Sequence, residues 1–123
     1  MLKDQSIVAF VATEDGEQAV AFYQKVLGLE LISDDDFAVV FEAHGTTLRI
    51  QKVDSVEPHP YTALGWAVSN IADVVETLRK RGVKFERFPG MDQDKAGIWK
   101  SPSGAKVAWF KDPDGNTLSL TQM

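Results

Sequence analysis

Cysteine is absent from this 123-residue chain, and histidine occurs only as His44 and His59. The lack of cysteine excludes disulfides, thiolate zinc sites and cysteine nucleophiles, and it fits a reducing compartment such as the cytoplasm. His44 falls in a predicted hairpin turn and His59 in a proline-flanked linker. Both are therefore expected to be solvated loop side chains.

Basic residues are also scarce, with 13 Lys and Arg against 18 Asp and Glu, for a net charge of −5. This balance argues against nonspecific binding to nucleic acid or to an anionic membrane surface, since both require a basic face. No apolar run approaches the roughly 18 residues of a membrane span. The first residues are too polar for a signal peptide. A cytoplasmic protein without nucleic-acid or membrane partners is expected.

The chain contains an internal repeat. Short apolar runs at residues 7–12 and 63–68 predict one strand in each half, and Asp15 and Asn70 can cap the helix that follows each strand. Apolar residues at spacings of three and four make both helices amphipathic. Gly28 and Gly82 are predicted to end them. The remaining predicted strands are residues 29–32, 37–42 and 47–52 in the first half, and 83–88, 98–101, 106–110 and 117–121 in the second.

These elements predict an α+β fold made of two βαβββ repeats with curled mixed sheets, at about residues 5–53 and 61–122 of a single domain spanning 1–123. Residues 53–60, with two prolines, form the predicted linker. The second half carries extra residues at 89–96 and 102–104. The first of these insertions, bounded by Gly90 and Gly97, is a candidate lid.

Alternation along the strands assigns one side of each sheet to the helix and leaves the other side, here called the open face, as a concave trough. Ala9, Val11 and Trp66 are predicted to face the helices, as are the leucines and isoleucine of the closing strands. The open face is predicted to carry Val8, Phe10, Ala12, Thr47, Arg49 and Gln51 in the first half, and Ala63, Gly65, Ala67, Thr117, Ser119 and Thr121 in the second.

Three segments resemble the vicinal oxygen chelate superfamily, which includes glyoxalase I, bleomycin-resistance proteins and extradiol dioxygenases. They are QAVAFYQKVLGL at residues 18–29, LRKRGV at 78–83 and FKDPDGN at 110–116. The resemblance covers essentially the whole chain and implies the fold. It does not choose a chemistry, because this superfamily hosts lyases, isomerases, dioxygenases, thiol transferases and drug-sequestering proteins.

Most enzymes of that superfamily hold a divalent metal through side chains on the first and last strands of each repeat. By resemblance, these four positions fall on Val8, Arg49, Ala63 and Ser119. Val and Ala cannot ligate a metal, Arg is a permanent cation and Ser is a poor ligand. A shift of one residue brings in no better set. No metal and no cofactor are therefore predicted.

The trough still offers groups for a ligand. Arg49 is either a clamp for an anionic or polarised group or a strand arginine paired with a carboxylate such as Glu42. Trp99, Trp109 and Tyr61 are candidates for an aromatic rim, although Trp109 could equally belong to the core or to a dimer interface. Gln51, Ser119 and Thr121 could add hydrogen bonds.

The first interpretation is a metal-independent binding protein, resembling the bleomycin-resistance type, for a small aromatic or anionic organic ligand. The resemblance implies a homodimer with two pockets. The alternative is a diverged lyase, isomerase or oxygenase with a non-standard or absent metal site, in which Glu42 could act as a base. A third reading is a regulatory module that binds a protein, which a large exposed apolar patch would support.

Overall fold

The computed structural model describes all of residues 1–123, and the chain divides into two compact units, Met1–Glu57 and Pro58–Met123. The division falls inside the predicted linker. Each unit holds one four-stranded mixed sheet and one helical segment. The predicted α+β class and the pair of βαβββ repeats are confirmed.

The first unit begins with a single-turn 3₁₀ segment, Leu2–Asp4, which is followed by a strand, a helix and three further strands. The elements are β1 (Val8–Thr13), α1 (Gly16–Val20) with a π-helical continuation (Ala21–Val26), β2 (Glu30–Asp34), β3 (Ala38–Ala43) and β4 (Thr46–Lys52). The strands lie in the order β1-β4-β3-β2, with β1 parallel to β4 and the other neighbours antiparallel.

The helix of this unit begins as predicted but does not stay α-helical. The Asp15 side chain accepts the backbone N–H of Gln18 at 3.2 Å and so caps the first turn. The second half is wider, and the N–H of Leu27 donates to the Phe22 carbonyl five residues earlier, at 3.0 Å. The apolar spacing cannot reveal this widening, because it leaves the buried stripe in place. Gly28 then ends the helix with φ of 78°.

The core of the first unit lies between the helix and one side of the sheet. Val11, Ile50 and Val39 lie side by side across β1, β4 and β3, and Val39 and Ile50 are fully buried. Tyr23 from the helix lies against Phe41 of β3, with ring centroids 5.9 Å apart. Burying each such side chain contributes about 1.5–3 kcal/mol. This packing fixes which side of the sheet faces away from the helix.

The second unit repeats the arrangement with a longer connection after its helix. The elements are β5 (Thr62–Ala67), α2 (Ile71–Lys80), β6 (Trp99–Lys100), β7 (Lys106–Lys111) and β8 (Thr117–Gln122). The strands lie in the order β5-β8-β7-β6, again with one parallel pair, β5 and β8.

Local signals place both ends of α2. Asn70 Oδ1 accepts the N–H of Asp73 at 3.2 Å, as the sequence predicts. At the other end, Gly82 (φ of 94°) donates to the Arg79 carbonyl, and Val83 donates to the Leu78 carbonyl, each at 3.0 Å. This pair of bonds is a Schellman motif, and the buried Leu78 and Val83 supply its apolar contact.

Two predicted strands of the second unit are wrong in extent. Residues 83–88 form only a single bridge, between Phe85 and Phe110, and the predicted strand at 98–101 is reduced to Trp99–Lys100. The predicted strand at 83–88 is not completed because the N–H of Phe88 donates to the Gln93 side chain, at 2.8 Å, instead of to a neighbouring strand. Pro89 then has no N–H to continue a ladder.

Neither helix of the chain has the length and apolar character needed to cross a membrane.

Candidate functional site

The open face of the first unit carries exposed apolar side chains around one arginine. Val8 and Phe10 of β1 are 46% and 53% exposed. Phe10 lies opposite Arg49 of β4, and Arg49 lies opposite Val40 of β3, so the three form one row across the sheet. Gln51, the next outward residue of β4, is exposed beside Ala12. The predicted outward direction of Val8, Phe10, Arg49 and Gln51 agrees with their register and burial.

The guanidinium of the half-buried Arg49 forms no ion pair or hydrogen bond. Pairing with Glu42, one of the two alternatives open from the sequence, does not occur, and the Glu42 carboxylate instead accepts the N–H of Gly45 at 2.7 Å within the hairpin. Asp35 lies close enough to Arg49 to be affected by its charge. Its pKa is held below the usual value chiefly by the N–H groups of Phe37 and Ala38, with Arg49 adding to the effect.

The open face of the second unit pairs small residues on β5 with large aromatic residues on β6 and β7. Gly65, Ser119 and Trp109 form one row. The next row runs from Ala67 through Thr121 and Val107 to Trp99. The alanines and glycine of β5 are exposed, so this edge offers room beside the aromatic side chains.

Ser119 is committed to packing. Its side chain is buried, and its Oγ lies 2.6 Å from where a Cβ on Gly65 would stand. Gly65 is therefore the residue that lets β5 approach β8 closely at this point. Ala63 falls in an irregularity of the register between Thr62 and Leu64 and is exposed.

The residues present do not fit the metal centre that the sequence resemblance implies. The four positions offer two aliphatic side chains, a cation and a packed hydroxyl. No group of three or more His, Cys, Asp or Glu side chains stands where it could hold a metal ion. The chemistry of the donors is the objection, because hard divalent cations require oxygen or imidazole ligands without a positive charge among them.

A pocket of 370 Å³ opens in the second unit, between the residues that lead into β5 and the turn that joins β7 to β8. Its volume lies within the range of pockets that hold small organic ligands. The lining residues are Pro58, His59, Pro60, Tyr61, Thr62, Glu86, Phe88, Trp109, Lys111, Gly115 and Thr117.

Two aromatic pairs stand among these lining residues. His59 and Tyr61 are stacked, with ring centroids 5.2 Å apart and planes only 7° from parallel. Phe88 meets Trp109 edge to face at 5.4 Å. Trp99, which is outside the lining, contacts Trp109 with ring centroids 6.0 Å apart. Aromatic pairs of this kind can accept a further flat ring on their free faces.

The charged groups of the pocket largely cancel. Lys111 Nζ lies 3.5 Å from Glu86 Oε1, and their side chains are 54% and 29% exposed. The ion pair leaves the pocket with no net charge from these two residues. Thr62 and Thr117 add neutral hydrogen-bonding groups.

The sequence predicts part of this lining. Trp109, Tyr61 and Thr117 line the pocket. Gly65, Ser119, Thr121 and Trp99 lie elsewhere on the same sheet, and Ala63 lies on β5 outside the lining. Glu86 and Phe88 were missed because the segment predicted as a strand at 83–88 is irregular, and Lys111 was missed because it is the last residue of β7, one position beyond the predicted strand 106–110. His59 is a loop residue as predicted, but its stacking on Tyr61 was missed; the Pro-His-Pro-Tyr run, whose prolines restrict the backbone, was the available signal.

A second cavity, of 510 Å³, lies at the start of α2 and is more polar. It is bordered by charged side chains from the loop and from β6 and β7, including Asp92, Asp94, Lys100 and Lys106. Asp94 serves the loop itself, since its carboxylate accepts the N–H groups of Ala96 and Ile98, each at 2.9 Å. The aromatic pocket is the better candidate for an organic ligand.

Comparison with known proteins agrees with this architecture. Similar solved structures include a superfamily member from Sphaerobacter thermophilus, with 27% identity, full coverage of both chains and a TM-score of 0.76. A glyoxalase family protein from Bacillus anthracis shares 18% identity over 97% of this chain and 94% of that chain, with a TM-score of 0.77. TnmS3, an antibiotic binding protein from a Streptomyces species, shares 22% over 99% and 98%, with a TM-score of 0.73.

No curated protein matches the sequence significantly. A family model, by contrast, matches residues 6–120, which include both repeats. With two βαβββ units in the fold and this match over nearly the whole length, the chain belongs to the glyoxalase, bleomycin resistance protein and dioxygenase superfamily.

Proposed function

We propose that the protein binds a small organic molecule without a metal ion, and that an aromatic part of this ligand occupies the 370 Å³ pocket. The observation that carries the proposal is the pocket lining, in which Trp109 and Phe88 stand among the same lining residues as the His59–Tyr61 stack. Shape and stacking suffice for sequestration, which needs neither acid nor base.

The donor chemistry supports metal independence. The four positions that the superfamily uses for ligands carry Val8, Arg49, Ala63 and Ser119 in this chain. An enzymatic reading would also need a general base, and Glu42 is engaged by the Gly45 N–H. A lyase, isomerase or oxygenase of the superfamily therefore remains the weaker hypothesis.

Arg49 supports the binding of an anionic group on the sheet of the first unit. It is half-buried and unpaired, and a guanidinium in that state gains most from a carboxylate or phosphate partner. Because Arg49 belongs to the first unit, we propose it as a separate anchor on that sheet.

We further propose that the chain acts as a cytoplasmic homodimer with two pockets. The exposed apolar residues Ile7, Val8 and Phe10 lie on or beside β1, an edge strand whose outer backbone groups have no neighbouring strand. Such an edge favours pairing or coverage by another chain. Sedimentation equilibrium distinguishes a dimer from a monomer.

Calorimetric titration with 2-naphthol, a neutral flat aromatic probe, tests the binding proposal. Protein dialysed against EDTA and protein supplied with Zn²⁺, Mn²⁺ or Ni²⁺ are compared. We expect the same affinity in all samples. Binding that appears only with an added metal would refute metal independence, and no binding in any sample would refute the proposal that the pocket holds an aromatic group.

A further inference from the structure

The long loop after α2 is organised by one glutamine side chain. Gln93 Nε2 donates to the carbonyl oxygens of Glu86, at 2.9 Å, and of Gly97, at 2.8 Å. Gln93 Oε1 accepts the N–H of Phe88 at 2.8 Å. One half-buried amide thus joins the entry of the loop to its exit.

Neighbouring side chains reinforce the same frame. Arg87 Nη2 donates to the Asp94 carbonyl at 2.7 Å, and its other contacts, to the carbonyls of Gln93 and Lys95, are longer at 3.4 Å. Gly97 is buried with φ of 92° and packs against Phe85. A loop with this many internal bonds must break several of them to swing as the lid that the sequence predicts for residues 89–96.

The frame contacts two aromatic residues at and beside the pocket, Phe88 and Trp99. Phe88 is held at its own N–H and meets Trp109 edge to face. At the exit, Gln93 forms a β-bridge with Trp99, whose ring centroid lies 6.0 Å from that of Trp109. Gln93 itself does not line the pocket.

We propose that Gln93 is a positioning residue that pre-organises the aromatic wall that Phe88 and Trp109 present to the pocket, with Trp99 supporting Trp109, so that the pocket is formed before any ligand arrives. The ligand-binding part of this inference rests on the proposed function. A preformed wall avoids the cost of ordering side chains on binding, which is the physical benefit of such a frame.

Three variants isolate the role of the amide. Gln93→Leu removes all three bonds. Gln93→Glu keeps the acceptor for Phe88 but sets an ionised oxygen against two carbonyls, and protonation of the new acid restores one donor. Gln24→Leu, at an exposed glutamine of the first unit, is the matched control.

Two readouts need no ligand. Trp99 and Trp109 are close enough to couple excitonically, so circular dichroism reports their geometry. In Gln93→Leu we expect loss of the couplet and exchange of the Phe88 amide faster by roughly 10- to 100-fold. Gln24→Leu should change neither. A folded Gln93→Leu that keeps the couplet and the slow exchange would overturn the inference.

Titration with 2-naphthol supplies the third readout. We expect Gln93→Leu to lower the affinity about tenfold, through poorer pre-organisation of the wall. Gln93→Glu should recover toward the wild type as the pH is lowered. Each affinity is expressed as a ratio to the wild type at the same pH, because the other ionisable groups of the pocket, His59, Glu86 and Lys111, are common to both proteins. If Gln93→Leu fails to fold, the absence of this recovery refutes the proposal. If the wild type does not bind 2-naphthol but the couplet is lost in Gln93→Leu, the positioning role stands and the proposed aromatic ligand is wrong.

Discussion

Replacing Phe88 by alanine removes one half of an aromatic pair in the pocket while sparing the core. The Phe88 side chain is 39% exposed, and its main aromatic partner is Trp109 at 5.4 Å. Aromatic pairs contribute about 0.5–1.5 kcal/mol beyond their buried area. A bound aromatic ring that packs on Phe88 gains a free energy of this size, so removing the Phe88 ring should weaken binding about 2- to 13-fold.

Titration of Phe88→Ala with 2-naphthol measures this loss, and urea unfolding verifies that the variant remains folded. Phe37→Ala is the control, because Phe37 is 74% exposed in the first unit and does not border the pocket. We expect the control to bind like the wild type. An unchanged affinity in a folded Phe88→Ala would show that the ligand does not use this wall.

Three further predictions follow from single side chains. Arg49→Ala should lower the affinity for 2-naphthoate about tenfold by removing a charge-assisted hydrogen bond, while the affinity for 2-naphthol and the circular dichroism stay unchanged. Equal affinity of the variant and the wild type for 2-naphthoate would show that Arg49 does not bind the anion. Two backbone N–H groups lower the pKa of Asp35 below its usual 3.8, so the stability that they provide is complete above that value and is lost as the pH falls through the lowered pKa. Asp35→Asn should therefore reduce the acid-dependent loss of stability measured by urea unfolding, and the same pH dependence in the variant and the wild type would contradict this. Gly115→Ala should lower the free energy of unfolding by roughly 1–2 kcal/mol because its φ is 87°, and by a further amount because the new Cβ would lie 2.9 Å from Pro58 Cγ. Gly104→Ala, with φ of 94° and open space around it, should lose only the conformational part, and thermal unfolding of both variants measures the difference.

The sequence predicts the fold well because its signals are local and repeated. Asp15 and Asn70 cap the helices, Gly28 and Gly82 end them, and the alternation along β4 sorts Leu48 inward. Caps and C-terminal glycines act through their own backbone neighbours, so no tertiary information is needed to predict them.

The pocket is harder to predict because its walls come from irregular segments. The strand predicted at residues 83–88 is interrupted where the Gln93 side chain accepts the Phe88 N–H, and the hydrophobic periodicity of the sequence does not predict this contact. The register irregularity at Ala63 likewise follows from how β5 pairs with β8. Trp109 was predicted because it lies on a regular strand, whereas Glu86 depends on the loop conformation.

Native mass spectrometry of protein purified without chelator tests whether this member of the superfamily binds its ligand without a metal. We expect a dimer mass with no stoichiometric divalent ion, and retention of 2-naphthol or of a co-purified organic molecule by that metal-free species. A dimer carrying one tightly bound divalent ion per subunit would contradict it and make the metal-dependent enzyme the leading interpretation.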